Sequence, residues 1–453
     1  MRRGKRVFMK RAIFVALIFS AVSCAQTELA PTPPMGWNSW NSYGQTISEA
    51  DVRATADVMA QKLKAFGWQY VVIDEGWYVL KPGGDAKLYQ FRMDENGRFL
   101  PAESRFPSAK DDGMKAIADY VHSLGLKFGI HVIRGIPREA VAKNLPIAGS
   151  SFHAAEAADT SDVCPWNAYN YGLKDNAAGQ AYYDSIAKLY ASWGVDFIKI
   201  DCISSHPYKG AEIRMISEAL HKSGRAMVLS LSPGPTPLEK ADEVAKYAEM
   251  WRISDDFWDH WGVWKGHEWS QGLKAQFENA AKWSAHQTPG HRPDNDMLPL
   301  GYLGPHPGEG EVRNTQFTAD EQKTLMTLWA ISRSPLMMGG NLTKMDEATL
   351  GVLTNKSVIA LDQQSHNGKQ VINDGNTVVW FAEGLSPIAG YVAVFNISDR
   401  EQSVKYSWKE LGLAEGARVA RDVWAERSLG KQEGVNLKLA PHACVLYQLS
   451  LLK

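Results

Sequence analysis

Between Pro33 and Thr354 the chain alternates short apolar segments with amphipathic stretches of helical period, and this alternation limits the available folds more than any other feature. The apolar segments are MGWNSW, YVVIDEG, KFGIHVI, FIKIDC, AMVLSLS, MWRISDD, DMLPLG and PLMMGG. Between them lie helical patterns such as SEADVRATADVMAQKLKAFG, where Ser48 and Asp51 make a capping box, and ADEQKTLMTLWAIS. Eight strand–helix units in one run predict an α/β fold, a (β/α)8 TIM barrel whose functional groups sit at the carboxyl ends of the strands. After Leu361 come VVWFAEG, GYVAVFNIS, QSVKYSW, ARVARDVW and HACVLYQLS, short period-two runs without helices, which predict a C-terminal antiparallel β-sandwich domain. The expected division is a barrel over 31–358 and a β domain over 362–453, with residues 27–34 as a linker.

A chain of 453 residues with 45% hydrophobic content can bury a core large enough for two domains. Its formal net charge of -1, from 49 basic and 50 acidic side chains, offers no attraction to nucleic acid or to an anionic membrane. A small neutral partner fits better. Sixteen Trp and sixteen Tyr supply faces of the kind that stack on sugar rings, although most are expected in the core. The N-terminus MRRGKRVFMKRAIFVALIFSAVSC joins a basic region to the apolar run Ala12 to Val22, a secretory signal over residues 1–25 that is too short to span a membrane. Ala21-Val22-Ser23-Cys24 resembles a bacterial lipoprotein processing site, with a lipid anchor on Cys24; ordinary cleavage after Ala25 is the alternative. The protein is expected to be exported: periplasmic, secreted or an outer-membrane lipoprotein. Export admits a disulfide among Cys164, Cys202 and Cys444, with Cys164 and Cys202 the favoured pair.

The chemistry lies at the strand ends. Side chains alternate along a strand, so Lys199 and Asp201 in GVDFIKIDC point the same way. Lys199 would hold Asp201 ionised, and an ionised, positioned carboxylate is a nucleophile. The alternative is an ion pair that closes the barrel top. In WRISDDF the same alternation puts Arg252, Ser254 and Asp256 on one face and turns Asp255 away. Asp256 across the mouth from Asp201 allows general acid catalysis on a leaving oxygen, unless Asp256 or Asp259 caps the next helix. Carboxyls about 5 Å apart imply retention at a sugar's anomeric centre, and about 6.5–9.5 Å inversion. Asp74 and Glu75 beside Trp77, with Trp37 and Trp40, suit bonding to vicinal hydroxyls and stacking on a sugar face, or else are caps and core rings. Asp294 and Asp296 add acceptors, and His131 is a candidate substrate contact. No HExxH, HxH, GxSxG or Walker pattern occurs, which argues against zinc, serine-nucleophile and nucleotide chemistry.

Taken in order, PPMGWNSW, VIDEGW, KFGIH, FIKIDC, WRISDD, DNDML and SPLMMGG resemble the glycoside hydrolase family, of the family 27 type, that holds α-galactosidases and α-N-acetylgalactosaminidases related to the lysosomal enzymes. The resemblance covers nearly the whole mature chain. It implies a (β/α)8 barrel followed by an antiparallel β domain, double displacement with retention, and no metal or organic cofactor. It makes Asp201 the nucleophile and Asp256 the acid/base. Trp40, Asp74, Lys199, Arg252 and Asp296 match positions around a galactose-like ring; Glu75, His131, Cys164 and Ser232 join them as binding candidates. Cys164 and Cys202 match a pair bridged in the family. The implied partners are galactose- or arabinopyranose-terminated oligosaccharides and polysaccharides.

Three departures bear on the substrate. Asp74-Glu75 stands where typical α-galactosidases have two aspartates, near the sugar's O4 and O6, and the extra methylene can fill the space of the hydroxymethyl group. An α-D-galactopyranoside without that group is a β-L-arabinopyranoside, and some bacterial relatives with Glu here are β-L-arabinopyranosidases. The expected activity is α-galactosidase, with β-L-arabinopyranosidase the alternative and a non-catalytic sugar-binding protein the remote one. His131 stands where relatives often carry Tyr, and the segment after it, VIRGIPREAVAKNLPIAG, is a mouth loop that narrows the site or adds a leaving-group subsite. Ser232, in LSLSPGP, is smaller than the residues that usually meet the 2-hydroxyl, which leaves room for a 2-acetamido group.

Overall fold

The computed structural model describes residues 28–83, 89–110, 112–385 and 389–451. The leader read over residues 1–25, with Cys24, lies outside the described residues. Eight parallel strands form one sheet: β1 Met35–Asn38, β2 Tyr70–Ile73, β3 Lys127–Ile133, β4 Phe197–Asp201, β5 Val228–Leu231, β6 Met250–Arg252, β7 Arg292–Asp294 and β8 Leu336–Met338. Each pairs with its chain neighbour as far as β7, and β8 pairs with β1. A bridge between Leu298 and Met338 draws the remaining edge together. The longer helices are α1 Glu49–Lys62, α2 Lys115–Ser123, α3 Ala177–Trp193, α4 Gly210–Lys222, α5 Ala241–Tyr247, α6 Leu273–Trp283, α7 Ala319–Ser332, α8 Glu347–Leu353 and α9 Lys356–Gln364. Ser48 and Asp51 form the expected capping box on α1, so two free N–H groups are satisfied where the helix starts.

The seventh strand differs from expectation. It is Arg292–Asp294, upstream of DMLPLG, and Pro293 in its middle cannot donate to a ladder and breaks the apolar run that marks a strand. DMLPLG instead continues as the loop that reaches β8 through Leu298.

Alternation along the strands builds the interior. Outward side chains such as Val71, Ile73, Ile198, Ile200, Leu229 and Trp251 join the large core formed with the helices. Inward ones, Tyr70, Val72, Phe197, Val228, Met250 and Met337, pack together as an apolar floor. Two residues further along the same inward face come Asp74, Lys199, Ser230 and Arg252. β2, β4, β5 and β6 therefore pass from an apolar floor to a polar mouth. On β3 the floor position is Gly129, where a Cβ would stand 2.9 Å from the Cβ of Phe197 and 2.9 Å from Val72, so glycine lets the floor close.

The C-terminal strands are β9 His366–Asn373, β10 Thr377–Glu383, β11 Ala389–Asn396, β12 Gln402–Ser407, β13 Arg418–Asp422, β14 Arg427–Gln432, β15 Gly434–Leu439 and β16 Cys444–Leu451. A six-stranded antiparallel sheet in the order β9-β10-β11-β16-β13-β14 faces the β12–β15 pair. Val379, Val392 and Val394 pack toward Val404, Val435 and Leu439 of that pair. The alternate residues Val378, Trp380, Ala393 and Phe395 belong to the same core as the barrel helices. Phe395 meets Phe277 of α6 with ring centroids 5.0 Å apart, and His442 stacks on Trp261 at 3.8 Å with Nδ1 2.8 Å from Glu321 of α7. Because one face of this sheet completes the barrel's core, Phe395→Ala is expected to cost about 3–5 kcal/mol. It should lower the thermal midpoint of the whole chain in one transition. A separate early transition in calorimetry would show that the β domain stands alone.

Candidate active site

At the carboxyl ends of the strands a cavity is lined by Trp40, Asp74, Glu75, His131, Lys199, Asp201, Ser232, Arg252, Asp256 and Asp296, all expected from the sequence, together with Asn41, Trp166, Phe257, Trp258 and Met297. Cys164 is not among its lining residues. Its sulfur is bonded to Cys202 and the residue is buried, so it acts on the site through the bridge and not by touching a ligand.

Lys199 Nζ donates to Asp74 Oδ2 at 2.8 Å, and Asn38 Nδ2 donates to the same oxygen at 2.7 Å. Burial opposes the charge on Asp74, yet Lys199 and His131 hold its carboxyl well below the usual carboxylate range. Burial likewise works against the ammonium of Lys199, but Asp74 and Asp201 raise it above its ordinary range. The direct partner of Lys199 is thus Asp74, at the end of β2 two strands away, and Lys199 acts on Asp201 through its field.

Asp201 has its own partners. Trp166 Nε1 donates to Oδ1 at 3.1 Å, Ser232 Oγ donates to Oδ2 at 3.1 Å, and His131 Nε2 lies 3.7 Å from Oδ2. Burial pushes this carboxyl up, but His131, Lys199 and Trp166 together keep it below the ordinary value, so it is ionised at neutral pH. The hydroxyl of Ser232 is therefore engaged with Asp201.

Arg252 serves the opposite wall. Its Nη2 lies 2.7 Å from Asp296 Oδ2 and donates to Asp256 Oδ1 at 3.1 Å. Asp296, in the left-handed region at φ 83°, also accepts the N–H groups of Phe257 at 2.8 Å and Met297 at 2.7 Å. Asp255 turns away to His206, as the alternation requires. Ser254 does not follow its predicted face: β6 ends at Arg252, and the Ser254 hydroxyl accepts from Gln276 on the helix side. Asp259 caps no helix; it is fully buried and paired with Arg313 at 2.6 Å. Asp294 accepts the N–H of Asp296 at 2.8 Å, and so supports the site from behind. Trp37 and Trp77 are core rings whose indole N–H groups bond to the carbonyls of Gly340 and His131.

Trp166 and Asn167 escaped the sequence reading. They lie in the turn between the paired strands Ala158–Val163 and Asn170–Leu173, a segment tied to the residue after Asp201 by the Cys164–Cys202 bridge. Arg134, 2% exposed, secures the same corner: Nε donates to the Cys202 carbonyl at 2.6 Å while the guanidinium pairs with Asp162 at 2.7 Å and Glu212 at 2.6 Å. The only trace in the sequence is that Trp166 follows Cys164 by two positions. Asn167 Nδ2 donates to Glu75 Oε1 at 2.6 Å, and Gln45 Nε2 donates to the same oxygen at 3.2 Å.

A family profile described as Alpha galactosidase A matches residues 32–141 and 173–364, and one described as Alpha galactosidase C-terminal beta sandwich domain matches 374–449. The chain belongs to this glycoside hydrolase family. An α-galactosidase from Oryza sativa subsp. japonica is 30% identical over 94% of this chain and 86% of its own length, and α-galactosidase A from Cellvibrio japonicus is 28% identical over 98% and 99%. Among solved structures, a family 27 β-L-arabinopyranosidase from Geobacillus stearothermophilus is 46% identical, with a TM-score of 0.88 over 93% of this chain and 97% of that one. Residues 142–172, which carry Cys164, Trp166 and Asn167, fall between the two matched stretches of the Alpha galactosidase A profile.

Glu75 shifts in the opposite direction from Asp74 and Asp201. Burial, reinforced by the charges of Asp201 and Asp74, outweighs His131 and raises its carboxyl from 4.5 to about 7. Between those values the folded state holds a proton that the unfolded chain has lost, so this contribution to stability is complete below about 4.5 and is lost as pH rises through about 7. Glu75→Gln, which cannot titrate, should therefore raise the thermal midpoint relative to wild type more at pH 8 than at pH 4.5. An equal shift at both would show that Glu75 does not titrate in this window.

Proposed function

We propose that the protein is an exported, retaining exo-glycosidase for terminal sugars of galacto configuration, which hydrolyses α-D-galactosides and β-L-arabinopyranosides, with Glu75 setting the balance toward the arabinopyranosides. The observation that carries the reading is the pair Asp201 and Asp256 on one cavity, each held by its own set of groups. The side chain of Asp256 is 43% exposed and that of Asp201 14%, so the acid at the mouth is the one that can meet a leaving group and then water. In the first step the Asp201 carboxylate attacks the anomeric carbon, the glycosidic bond breaks, and Asp256 gives its proton to the departing oxygen. In the second, Asp256 takes a proton from water, which attacks the same carbon and releases Asp201. Trp40 supplies an aromatic face, and Asp74 with Lys199 and Arg252 with Asp296 supply acceptors and donors for ring hydroxyls.

The galactoside reading is supported by the activities named for the curated relatives, and the arabinopyranoside balance by Glu75 and by the likeness to the Geobacillus stearothermophilus enzyme. Export is supported by the leader and by the Cys164–Cys202 bridge, which persists in an oxidising compartment. The deciding measurement is kcat/KM on an aryl α-D-galactopyranoside and an aryl β-L-arabinopyranoside side by side. Wild type should favour the arabinopyranoside, and Glu75→Asp should move the ratio toward the galactoside by about tenfold, the scale of one methylene in a pocket. An unmoved ratio removes Glu75 as the selector. Asp256→Ala should cost about 100-fold or more on substrates with poor leaving groups and much less on good ones. Equal losses on both would contradict the acid role.

A further inference from the structure

Two side chains that are not among the residues lining the catalytic cavity meet on one oxygen of Glu75: Asn167 Nδ2 donates to Oε1 at 2.6 Å and Gln45 Nε2 at 3.2 Å. Each is itself fixed. Asn167 is buried, and its Oδ1 accepts the N–H of Tyr169 at 3.0 Å, which settles the orientation of the amide and leaves Nδ2 to face Glu75. Its segment is held by the Cys164–Cys202 bridge and by Tyr169, whose ring packs on Phe91 with centroids 4.6 Å apart. Gln45 lies far from residue 167 in the chain, in the single helical turn Gly44–Thr46, and its carbonyl accepts from Arg105 Nη1 at 3.1 Å. It reaches Glu75 past Gly76, at φ 90°, where a Cβ would stand 2.7 Å from the Cβ of Gln45. The glycine after Glu75 thus gives up its side-chain space to the second donor.

A glutamate side chain has several staggered positions of similar energy, and a substrate that needs more room selects one that stands aside at small cost. Two N–H donors converging on one carboxyl oxygen remove that freedom, because any rotation large enough to clear the site breaks both bonds. Neither donor was marked by strand alternation, since neither belongs to a barrel strand.

We propose that Asn167 and Gln45 are positioning residues for sugar selection: by clamping Oε1 they hold Glu75 against the place of the hydroxymethyl group, so that the preference for arabinopyranosides depends on residues outside the catalytic cavity. The proposal rests on the reading of Glu75 as selector given above. Its test is a double-mutant cycle on the full mature chain. Asn167→Ala and Gln45→Ala, each alone and each combined with Glu75→Asp, are assayed on an aryl α-D-galactopyranoside and an aryl β-L-arabinopyranoside. Each single variant should move the ratio of kcat/KM toward the galactoside by about threefold or more, short of the roughly tenfold of Glu75→Asp, and neither should move it further once Glu75→Asp is present. A merely structural loss would lower both substrates alike and leave the ratio where it was. An unmoved ratio in the single variants, with Glu75→Asp still effective, overturns the clamp and leaves the selector standing. Equal shifts with and without Glu75→Asp overturn the clamp as well, and an ineffective Glu75→Asp removes selector and clamp together. Because the two residues come from separate segments, Gln45→Ala decides the matter if Asn167→Ala does not fold. If neither aryl glycoside is turned over, the glycosidase reading falls alone, and the same cycle is read by titration calorimetry as the ratio of Kd for D-galactose and L-arabinose on Asp201→Asn, with the same outcomes deciding; binding of neither sugar overturns the clamp.

Discussion

The buried ion pair between Lys199 and Asp74, 2.8 Å apart, is the interaction on which the charge pattern of the mouth depends. A barrel brings the ends of eight strands together, and here that convergence crowds Asp74, Glu75, Asp201, Asp256 and Asp296 around one cavity. Like charges about 4 Å apart repel by several kcal/mol near a protein surface, so not all of these acids can stay ionised without cations among them. Lys199 and Arg252 are those cations. Lys199 keeps Asp74 and Asp201 charged and Arg252 bridges Asp256 and Asp296, while burial and acidic neighbours raise Glu75 to about 7 and, in spite of Arg252, Asp296 as well. Take Lys199 away and Asp74 keeps only His131, with Nε2 4.0 Å from its Oδ1, against the cost of burial, which favours taking a proton. The field that favours an ionised Asp201 would weaken with it.

Position matters as much as charge at Asp201. Its backbone is fixed from several sides: its carbonyl accepts the Arg134 N–H, the next carbonyl accepts Arg134 Nε, and Cys202, at φ 62°, carries the disulfide to the Trp166 segment. Beneath it, Phe197 locks into the apolar floor that Gly129 leaves open. A carboxylate held this way would lose little entropy on reaching an attacking geometry.

Period and alternation made much of this legible in advance. Lys199 and Asp201 share a face because a strand has period two, and the floor-to-mouth sequence Phe197, Lys199, Asp201 follows from the same rule. Alternation names a face but not a partner on another strand, so the bond from Lys199 to Asp74 instead of Asp201 was beyond its reach. It also lapses where a strand stops, which is why Arg252 and Asp256 reach the cavity and Ser254 does not. The proline in β7 hid a strand whose apolar signal is weak, and the short helices α5, α8 and α9 offered too few turns to stand out. Trp166 and Asn167 were invisible for a different reason. They belong to no barrel strand, and only a long-range bridge brings them to the site.

That bridge bears on substrate choice. A glutamate one methylene longer than aspartate excludes a hydroxymethyl group only if it cannot swing aside, since a free carboxylate would rotate to another staggered position at small cost. Asn167 and Gln45 both donate to Oε1 of Glu75, and the Asn167 backbone is held through Cys164 to the strand that carries Asp201. The anchoring turns a flexible side chain into a wall, and it leaves Oε2 free of those two donors and available to a sugar hydroxyl. One methylene in a pocket is worth about 1–3 kcal/mol, enough to rank two sugars and too little to abolish the poorer one. A Glu75 held in this way would favour the smaller ring substituent without excluding the larger, and Asn167, which holds it, lies between the two matched stretches of the family profile.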